Sequence, residues 1–405
     1  MPTTTPTRRK AVLGIGVLLL LACADQPTAP KQDAVTAAAK VTAFTMELLS
    51  PQWQDRVRTL VRLNTIGPLP SARIYAAVSV AQYRAVKAVD QQIDSEGVSP
   101  AQGFGPGGRA RYEAHRGAVS AASAIVLGYF FPSLAASLLD QVDADAAVGP
   151  GQPHPHFALG RGIGTAVGNA MLVHLDNDGN ALPWTGTLPV GPGYWTGTPF
   201  AAHLGGMTPY LVNSTSQFRS APHPAYGSPE FNAALAEVLT ISQNRTAQQI
   251  AIAQSWATAG AGSHLGGHFS LLGTDYINEA NLNERAATRV FALLHAAQFD
   301  AIITCFEGKY YYALLRPNQA NPAITLIIGQ PSYPAYPSGH ACFTASGAAV
   351  LQQLFAQHTA ELANQVTEAG LSRLYGGIHY MFDMEASWVL GNAVAGWAIA
   401  HDDRL

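Results

Sequence analysis

The sequence predicts an all-α protein. Apolar side chains recur at the three- and four-residue spacing of a helix face in many segments between about residue 41 and residue 400. Strand signals are sparse, because Thr325 to Ile328 is the one apolar run rich in β-branched residues and it is short. We expect two packed helical bundles, an N-terminal one over about 41–225 and a C-terminal one, which carries the chemistry, over about 226–405.

The N-terminal bundle is predicted from three helical segments separated by loops. The first, Val41 to about Val89, is interrupted by a Gly-Pro-Leu-Pro break. The second, Gly117 to Leu139, carries no charge, but Pro132 and several serines favour two helices broken at Phe131-Pro132 over a membrane span. The third is a short helix from Leu159 to Leu175. A loop-like stretch over 176–229 follows, and irregular segments of that length are usually functional or cover a domain junction.

The C-terminal bundle is predicted from helical spacing that resumes at Pro229. Its helices are expected over 231–241, 247–259, 283–306, 338–357, 361–369 and 384–400.

The first 23 residues have the pattern of a bacterial signal peptide. Arg8-Arg9-Lys10 precedes an apolar run from Ala11 to Leu21, and Leu20-Leu21-Ala22-Cys23 resembles a lipobox. Cleavage would leave a lipidated Cys23, followed by a flexible tether over residues 24–40. We therefore predict an exported bacterial protein on the periplasmic or outer side of the cell envelope, attached to a membrane through this lipid alone. A plain membrane anchor and twin-arginine export are the alternatives.

Composition narrows the function classes. Charged residues make up 12 % of the 405 residues, about half the usual share, and the formal net charge is −3. No basic stripe is evident, which argues against binding to nucleic acid. After processing only Cys305 and Cys342 remain, too few for a disulfide framework. We expect buried free thiols, with a single bridge as the alternative.

The segment from Pro334 to His340 predicts an anion site. Its prolines cannot continue a preceding helix, and Ser338 is a preferred N-cap for the apolar run that follows. The first amides of that helix would point at an anion from the positive end of the helix dipole. Gly339 allows close approach to the backbone, and His340 can titrate near neutrality. The alternative is an ordinary capped helix with an exposed histidine.

Further cations flank this segment. Lys309 and Arg316 are seven residues apart, so both are expected on one face of a helix that Pro317 ends. Guanidinium forks match tetrahedral oxyanions, and charge-assisted bonds to their oxygens are strong. In a chain so poor in charge, this favours an oxyanion as the ligand.

A third motif follows the helix that begins near Ser338. Gly376 and Gly377 break regular structure, so Arg373 and His379 are expected to converge from a turn. Asp383 lies four residues after His379, where a carboxylate on the same helix face could fix the imidazole tautomer.

These three motifs, Lys-x6-Arg-Pro, Pro-Ser-Gly-His and Ser-Arg-x5-His-x3-Asp, lie in order within about residues 305–383. They resemble the full signature of the superfamily that joins vanadium-dependent haloperoxidases with type 2 phosphatidic acid phosphatases. Looser similarity to bacterial haloperoxidase-like proteins extends over about 41–405, for example at Thr215 to Arg219 and Ala297 to Ala301. The resemblance implies an enzyme with an all-helical fold of two bundles.

The resemblance also implies a role for each motif residue. His379 would be the vanadium ligand in a haloperoxidase, or the nucleophile in a phosphatase, and Asp383 would orient it. His340 would be the general acid or base. The oxygens of vanadate or phosphate would be held by Lys309, Arg316, Ser338, Gly339 and Arg373.

Two activities are therefore expected in order of preference. A haloperoxidase, with vanadate as cofactor and peroxide and halide as substrates, is favoured because exported soluble haloperoxidases resemble this chain in length. The alternative is a phosphatase without a cofactor, which would hydrolyse phosphomonoesters through a phosphohistidine. A catalytically idle oxyanion-binding lipoprotein is the third possibility, and any of these could form a homo-oligomer. Phe306 stands where haloperoxidases often carry Trp, and Tyr333 stands where halide preference is thought to be set, so both are candidates for a halide or substrate pocket.

Overall fold

The computed structural model of the protein describes residues 47–97, 105, 108–147, 154–258 and 264–405. Over these residues the chain forms thirteen α-helices and no strand, which confirms the predicted all-α class. The predicted signal peptide, Cys23 and the tether lie outside the described residues. The helices are α1 (Leu49–Leu63), α2 (Pro68–Ser95), α3 (Arg109–Phe130), α4 (Ala135–Ala147), α5 (Pro155–Asn177), α6 (Pro229–Gln243), α7 (Ala247–Thr258), α8 (His264–Glu279), α9 (Glu284–Tyr312), α10 (Pro317–Ala320), α11 (Gly339–Leu354), α12 (Thr359–Tyr375) and α13 (Met381–Ala400).

Helix α9 is the central element. Its first turn is capped by Asn283, whose side chain accepts a hydrogen bond from the amide of Ala286 at 2.9 Å. By length and composition it is the one helix in the described ranges that could cross a membrane, and 94 % of its most apolar stretch is buried inside the protein. It packs on α2 in the N-terminal part of the chain and on α11 and α13 in the C-terminal part. The bundle boundary near residue 225 stays a prediction.

The irregular segment over 178–228 covers one side of α9, and a buried carboxylate holds it there. The two oxygens of Asp300 accept hydrogen bonds from the amides of Tyr210, Leu211 and Val212 at 2.8, 2.7 and 2.9 Å. Burial raises the pKa of Asp300 to about 6, against the opposing effect of these three amides. The aspartate therefore fixes the cover segment to the helix that leads into the site.

The prediction that one helix carries both Lys309 and Arg316 is wrong. Helix α9 ends at Tyr312, because Ala313 adopts a left-handed conformation (φ 51°) and donates its amide to the carbonyl of Lys309 at 2.9 Å. Beyond it, the amide of Leu315 pairs with the carbonyl of Gly193 in the cover segment at 3.1 Å. Arg316 thus reaches the site from an extended segment, not from a second turn of helix.

Helix α12 also differs from its prediction, since it continues to Tyr375 instead of ending near residue 369. Arg373 therefore projects from the last turn of a helix, and the chain turns only afterwards, at Gly376 and at Gly377 with its positive φ of 82°.

Candidate functional site

The ammonium group of Lys309 is buried against the loop that precedes α11. Its Nζ donates to the carbonyl of Pro334 at 3.1 Å, to that of Ala335 at 2.8 Å and to that of Pro337. Burial, with a further contribution from the charge of Arg316, lowers the pKa of Lys309 to about 8. All three ammonium protons are thus used to hold this loop, and the positive charge lies next to the Pro337–Ser338 peptide.

The guanidinium of Arg316 is fully buried and joins the same loop to the segment that carries His379. Nε donates to the carbonyl of Tyr333 at 3.0 Å and Nη2 to that of Pro334 at 3.2 Å. On the other side, Nη1 donates to the carbonyl of Ile378 at 2.7 Å and lies 3.1 Å from His379 Nε2.

His379 is held at both ring nitrogens. Nδ1 lies 2.7 Å from Asp383 Oδ2, and Nε2 faces the Arg316 guanidinium, which can only donate. The imidazole is therefore neutral, with its proton on Nδ1 and a lone pair on Nε2. Burial, followed by the charges of Arg316 and Lys309, holds the pKa of His379 well below its usual range. The ring presents an unprotonated nitrogen, which suits either a ligand or a nucleophile.

Asp383 lies in the first turn of α13, and its Oδ2 also accepts from the amide of Tyr380 at 3.1 Å. The prediction that His379 and Asp383 share one helix face is wrong in one respect. His379 precedes the helix, which begins at Met381. Burial raises the pKa of Asp383 to about 7, while the charges of Lys309 and Arg316 act in the opposite direction. One turn further along, Ser387 donates its hydroxyl to the Asp383 carbonyl.

Ser338 occupies the N-cap position of α11, as predicted, but its side chain makes no capping bond. Its amide donates to Ser387 Oγ at 2.7 Å, so it does not point at a ligand as we expected. Its Oγ is buried without a hydrogen-bond partner. An orphaned buried hydroxyl is costly in a folded protein, and a bound oxyanion would satisfy it. A Cβ at Gly339 would meet Ile302 Cδ1 at 3.4 Å, an ordinary contact, so packing does not require the glycine there.

Arg373 and His340 are both held by backbone carbonyls of α7. Arg373 Nη2 donates to the carbonyl of Ala253 at 3.0 Å, and Nε donates to Ser372 Oγ at 2.9 Å. His340 Nε2 lies 3.2 Å from the carbonyl of Trp256, which can only accept, so the neutral ring carries its proton on Nε2. Burial, followed by the charge of Arg373, holds the pKa of His340 well below its usual range.

The two predicted pocket residues form an aromatic wall beside the cations. Phe306 and Tyr333 meet edge to face with their ring centroids 5.0 Å apart. The Tyr333 ring lies 5.2 Å from Lys309 Nζ and 5.3 Å from the guanidinium carbon of Arg316, within cation–π range. Burial raises the pKa of the Tyr333 hydroxyl.

The two remaining cysteines lie behind the site as free, buried thiols, as we expected. Cys305 Sγ is 3.6 Å from the carbonyl of Pro337, the same carbonyl that accepts from Lys309.

Contacts thus connect the predicted residues in two groups. One network runs through the Pro334–Pro337 loop and Ser387, and it contains Lys309, Arg316, Ser338, His379 and Asp383. The second group contains His340 and Arg373, which are joined through α7. Sequence reasoning missed Ser387, although its position one turn after Asp383 was a signal. It also missed the Ala253 and Trp256 carbonyls, because backbone groups carry no side-chain signature.

The chemistry of the site suits an oxyanion rather than a bare metal ion. Three buried cations surround it, and they would repel a metal cation. Across the part of the chain that the structure describes, no group of three or more His, Cys, Asp or Glu side chains could hold a metal ion. The fold and the site together define an all-α protein with three buried cations and a buried histidine that keeps a lone pair on Nε2, an arrangement whose chemistry suits an oxyanion.

One family model matches the part of the chain that carries the three motifs. Residues 289–404 match the family model described as the PAP2 superfamily, a range that contains all the motif residues. The match confirms the superfamily that the three motifs predicted.

One curated relative is an undecaprenyl-diphosphatase from Sulfolobus acidocaldarius, 36 % identical over 99 residues. The alignment covers 24 % of this chain and 47 % of the relative, so the chain spans about half the length of the curated relative that it matches.

Solved structures with the same fold include two bacterial enzymes. A vanadium-dependent iodoperoxidase matches with a TM-score of 0.67 and 21 % identity, over 87 % of this chain and 95 % of that one. A vanadium-dependent chloroperoxidase in its apo form matches with a TM-score of 0.65 and 15 % identity, over 83 % of this chain and 94 % of that one. At these identities the matches establish the fold. All these relatives carry the names of enzymes, in agreement with the prediction that this chain is one.

Proposed function

We propose that the protein is a vanadium-dependent haloperoxidase-like enzyme, which oxidises halide with hydrogen peroxide. The observation that carries the proposal is the neutral His379, whose Nδ1 is fixed by Asp383 and whose Nε2 lone pair faces Arg316. A second support is the fold, which resembles vanadium-dependent haloperoxidases over most of both chains.

The residues present fit vanadate. Ser338 Oγ has no partner, and three buried cations would balance a multiply charged oxyanion. His379 Nε2 would be the metal ligand, and vanadate, when bound, supplies the Lewis acidity that activates hydrogen peroxide toward halide. The oxygens would be held by Arg316, Ser338, Gly339 and Arg373, while Lys309, whose protons are used by the loop, would contribute positive charge.

The protein's own side chains then have separate tasks. Asp383 keeps the proton of His379 on Nδ1, so that Nε2 keeps its lone pair. That lone pair accepts from Arg316 Nη1, and a ligand bound by Nε2 would have to replace this contact. Lys309 fixes the Pro334–Pro337 loop and contributes positive charge without a free proton donor. His340 is uncharged beside Arg373, and a bound oxyanion would offset that charge and favour protonation of Nδ1. His340 would then hold and return a proton at Nδ1.

A phosphatase is the second candidate, and the curated undecaprenyl-diphosphatase relative favours it. The same Nε2 lone pair of His379 would attack phosphorus, and His340 would protonate the leaving oxygen. Water would then hydrolyse the phosphohistidine, and the phosphomonoester phosphatase would need no cofactor. An idle oxyanion-binding protein is the third candidate.

The proposed setting is the bacterial cell envelope. Export and lipidation at Cys23 would leave the enzyme outside the cytoplasm, tethered to a membrane through residues 24–40. Its partners there would be small molecules, with a homo-oligomer as a further proposal.

A paired assay tests these candidates. Protein that lacks its first 23 residues is given vanadate, peroxide and bromide or iodide with a halogen-accepting dye, and separately p-nitrophenyl phosphate with and without vanadate. Halogenation that requires vanadate supports the haloperoxidase, and phosphate release that vanadate inhibits supports the phosphatase. His379→Ala should abolish either activity, whereas His358→Gln, at a histidine paired with Glu279, should retain it. If His379→Ala stays active in both assays, the site assignment fails.

A further inference from the structure

Helix α7 is anchored to the protein by few side chains. Of its twelve residues only Ala253 and Trp256 are buried, and Trp256 is by far the larger. The same two residues supply the carbonyls that contact Arg373 and His340. The packing of this helix and the orientation of two site residues therefore depend on the same contacts.

The carbonyl of Trp256 faces His340. It accepts from His340 Nε2 at 3.2 Å. Trp256 lies two residues before Thr258, the last residue of α7 that the structure describes.

The Trp256 side chain is fixed by α12, the helix that carries Arg373. Its Nε1 donates to Glu368 Oε1 at 2.9 Å. Its ring also meets the edge of His268 at 5.5 Å, and His268 Nε2 is held 2.7 Å from Gln365 Oε1. Glu368 and Gln365 are three residues apart, so both project from neighbouring positions on one helix face.

We propose that Trp256 is a positioning residue for the oxyanion site. Its side chain holds α7 against α12. The Trp256 carbonyl therefore fixes the proton of His340 on Nε2, and Nδ1 is left as the nitrogen that exchanges a proton with a ligand. The same packing places the Ala253 carbonyl against Arg373. The reaction that this arrangement serves rests on the proposed function, but the arrangement itself does not.

The test measures the tautomer of His340 directly. Protein labelled with 15N-histidine is studied by NMR, and the His340 ring signals are assigned by their loss in His340→Gln. In the parent protein we expect the Nε2–H tautomer to dominate. In Trp256→Phe, which keeps an aromatic ring but removes the indole N–H, and in Glu368→Leu, we expect a substantial population of the Nδ1–H tautomer. Glu368→Gln retains an acceptor oxygen for Trp256 Nε1, so its His340 spectrum should match that of the parent protein.

A matched control separates positioning from general damage. Trp397→Phe removes another indole hydrogen bond, from Nε1 to the Leu211 carbonyl at 3.1 Å near the end of α13, and should leave the His340 tautomer unchanged. Activity in whichever assay responds should fall about tenfold in Trp256→Phe, as is typical when an outer hydrogen-bond partner is lost, and should be retained in Trp397→Phe.

An unchanged His340 tautomer in both Trp256→Phe and Glu368→Leu, in folded protein, would overturn the proposal. Failure of the proposed function looks different, because the parent protein would then be inactive in both assays while the tautomer still shifted in these variants.

Discussion

Arg316 Nη1 and His379 Nε2 lie 3.1 Å apart in the protein interior. A guanidinium cannot accept a hydrogen bond, so this contact determines which nitrogen of the imidazole is unprotonated. With Asp383 on the other nitrogen, the ring is fixed in one tautomer before any ligand arrives. The nitrogen that would bind vanadium or attack phosphorus is thus prepared by two neighbours of opposite charge.

Asp383→Asn should weaken the fixation of the His379 tautomer. An amide cannot match the charge of the carboxylate opposite Nδ1, and we expect a loss of about 10- to 100-fold in oxyanion affinity or activity. Calorimetric titration with vanadate, alongside the paired assay, measures both. Asp143→Asn removes a carboxylate that is 63 % exposed and should behave as the parent protein. Equal affinity in the two variants would contradict the role of Asp383.

Arg316→Lys should lose oxyanion affinity although it preserves the positive charge. The guanidinium serves four acceptors, and a lysine has neither the number nor the planar arrangement of donors to replace it. We expect at least a tenfold loss of oxyanion affinity, on the scale of about 1.4 kcal/mol per tenfold. Arg289→Lys, at a partly exposed pair with Asp402, is the control. Parent-like binding by Arg316→Lys would show that charge alone suffices.

Oxyanion binding should weaken at alkaline pH. Burial lowers the pKa of Lys309 to about 8, so its positive charge is complete only well below that pH and is lost as the pH rises through it. Tungstate suits the measurement, because its own charge is constant in this range. We expect its affinity to fall by up to roughly tenfold per pH unit above about pH 8.

Lys309→Met is the control for this titration. Its tungstate affinity should be lower throughout and should change little between pH 7 and 9 (an assay range chosen around the pKa of about 8). A variant that retains the parent's slope would assign the pH dependence to another group.

Asp300→Ala should destabilise the fold. The substitution leaves three buried amides without their acceptor, and each unsatisfied group typically costs about 1–3 kcal/mol. We expect a loss of at least about 3 kcal/mol in the free energy of unfolding, measured with urea. Asp143→Ala, at an exposed carboxylate, should change it by less than about 0.5 kcal/mol. A similarly small change in Asp300→Ala would mean that the cover segment is held by other contacts.

The sequence was sufficient for the helical class, and it named motif residues that the structure brings into contact; their roles in a site stay a prediction. The sequence was insufficient to predict the backbone segments from which these side chains project. Ala313 ends α9 through a left-handed conformation that residue type alone does not announce, so Arg316 was placed on the wrong kind of segment. Trp256 acts through its carbonyl, which every residue possesses, so only the packing of α7 reveals it.

Helix α9 has a practical consequence for anyone who wishes to shorten the protein. The family match begins at residue 289, inside this helix, and a fragment cut there would lack the first turn of α9 together with its Asn283 cap. It would also expose the apolar side of α9 against which α2 packs. We therefore expect the C-terminal segment that matches the family model to aggregate when expressed alone, and the minimal expressible unit to include the helices from α1 onward.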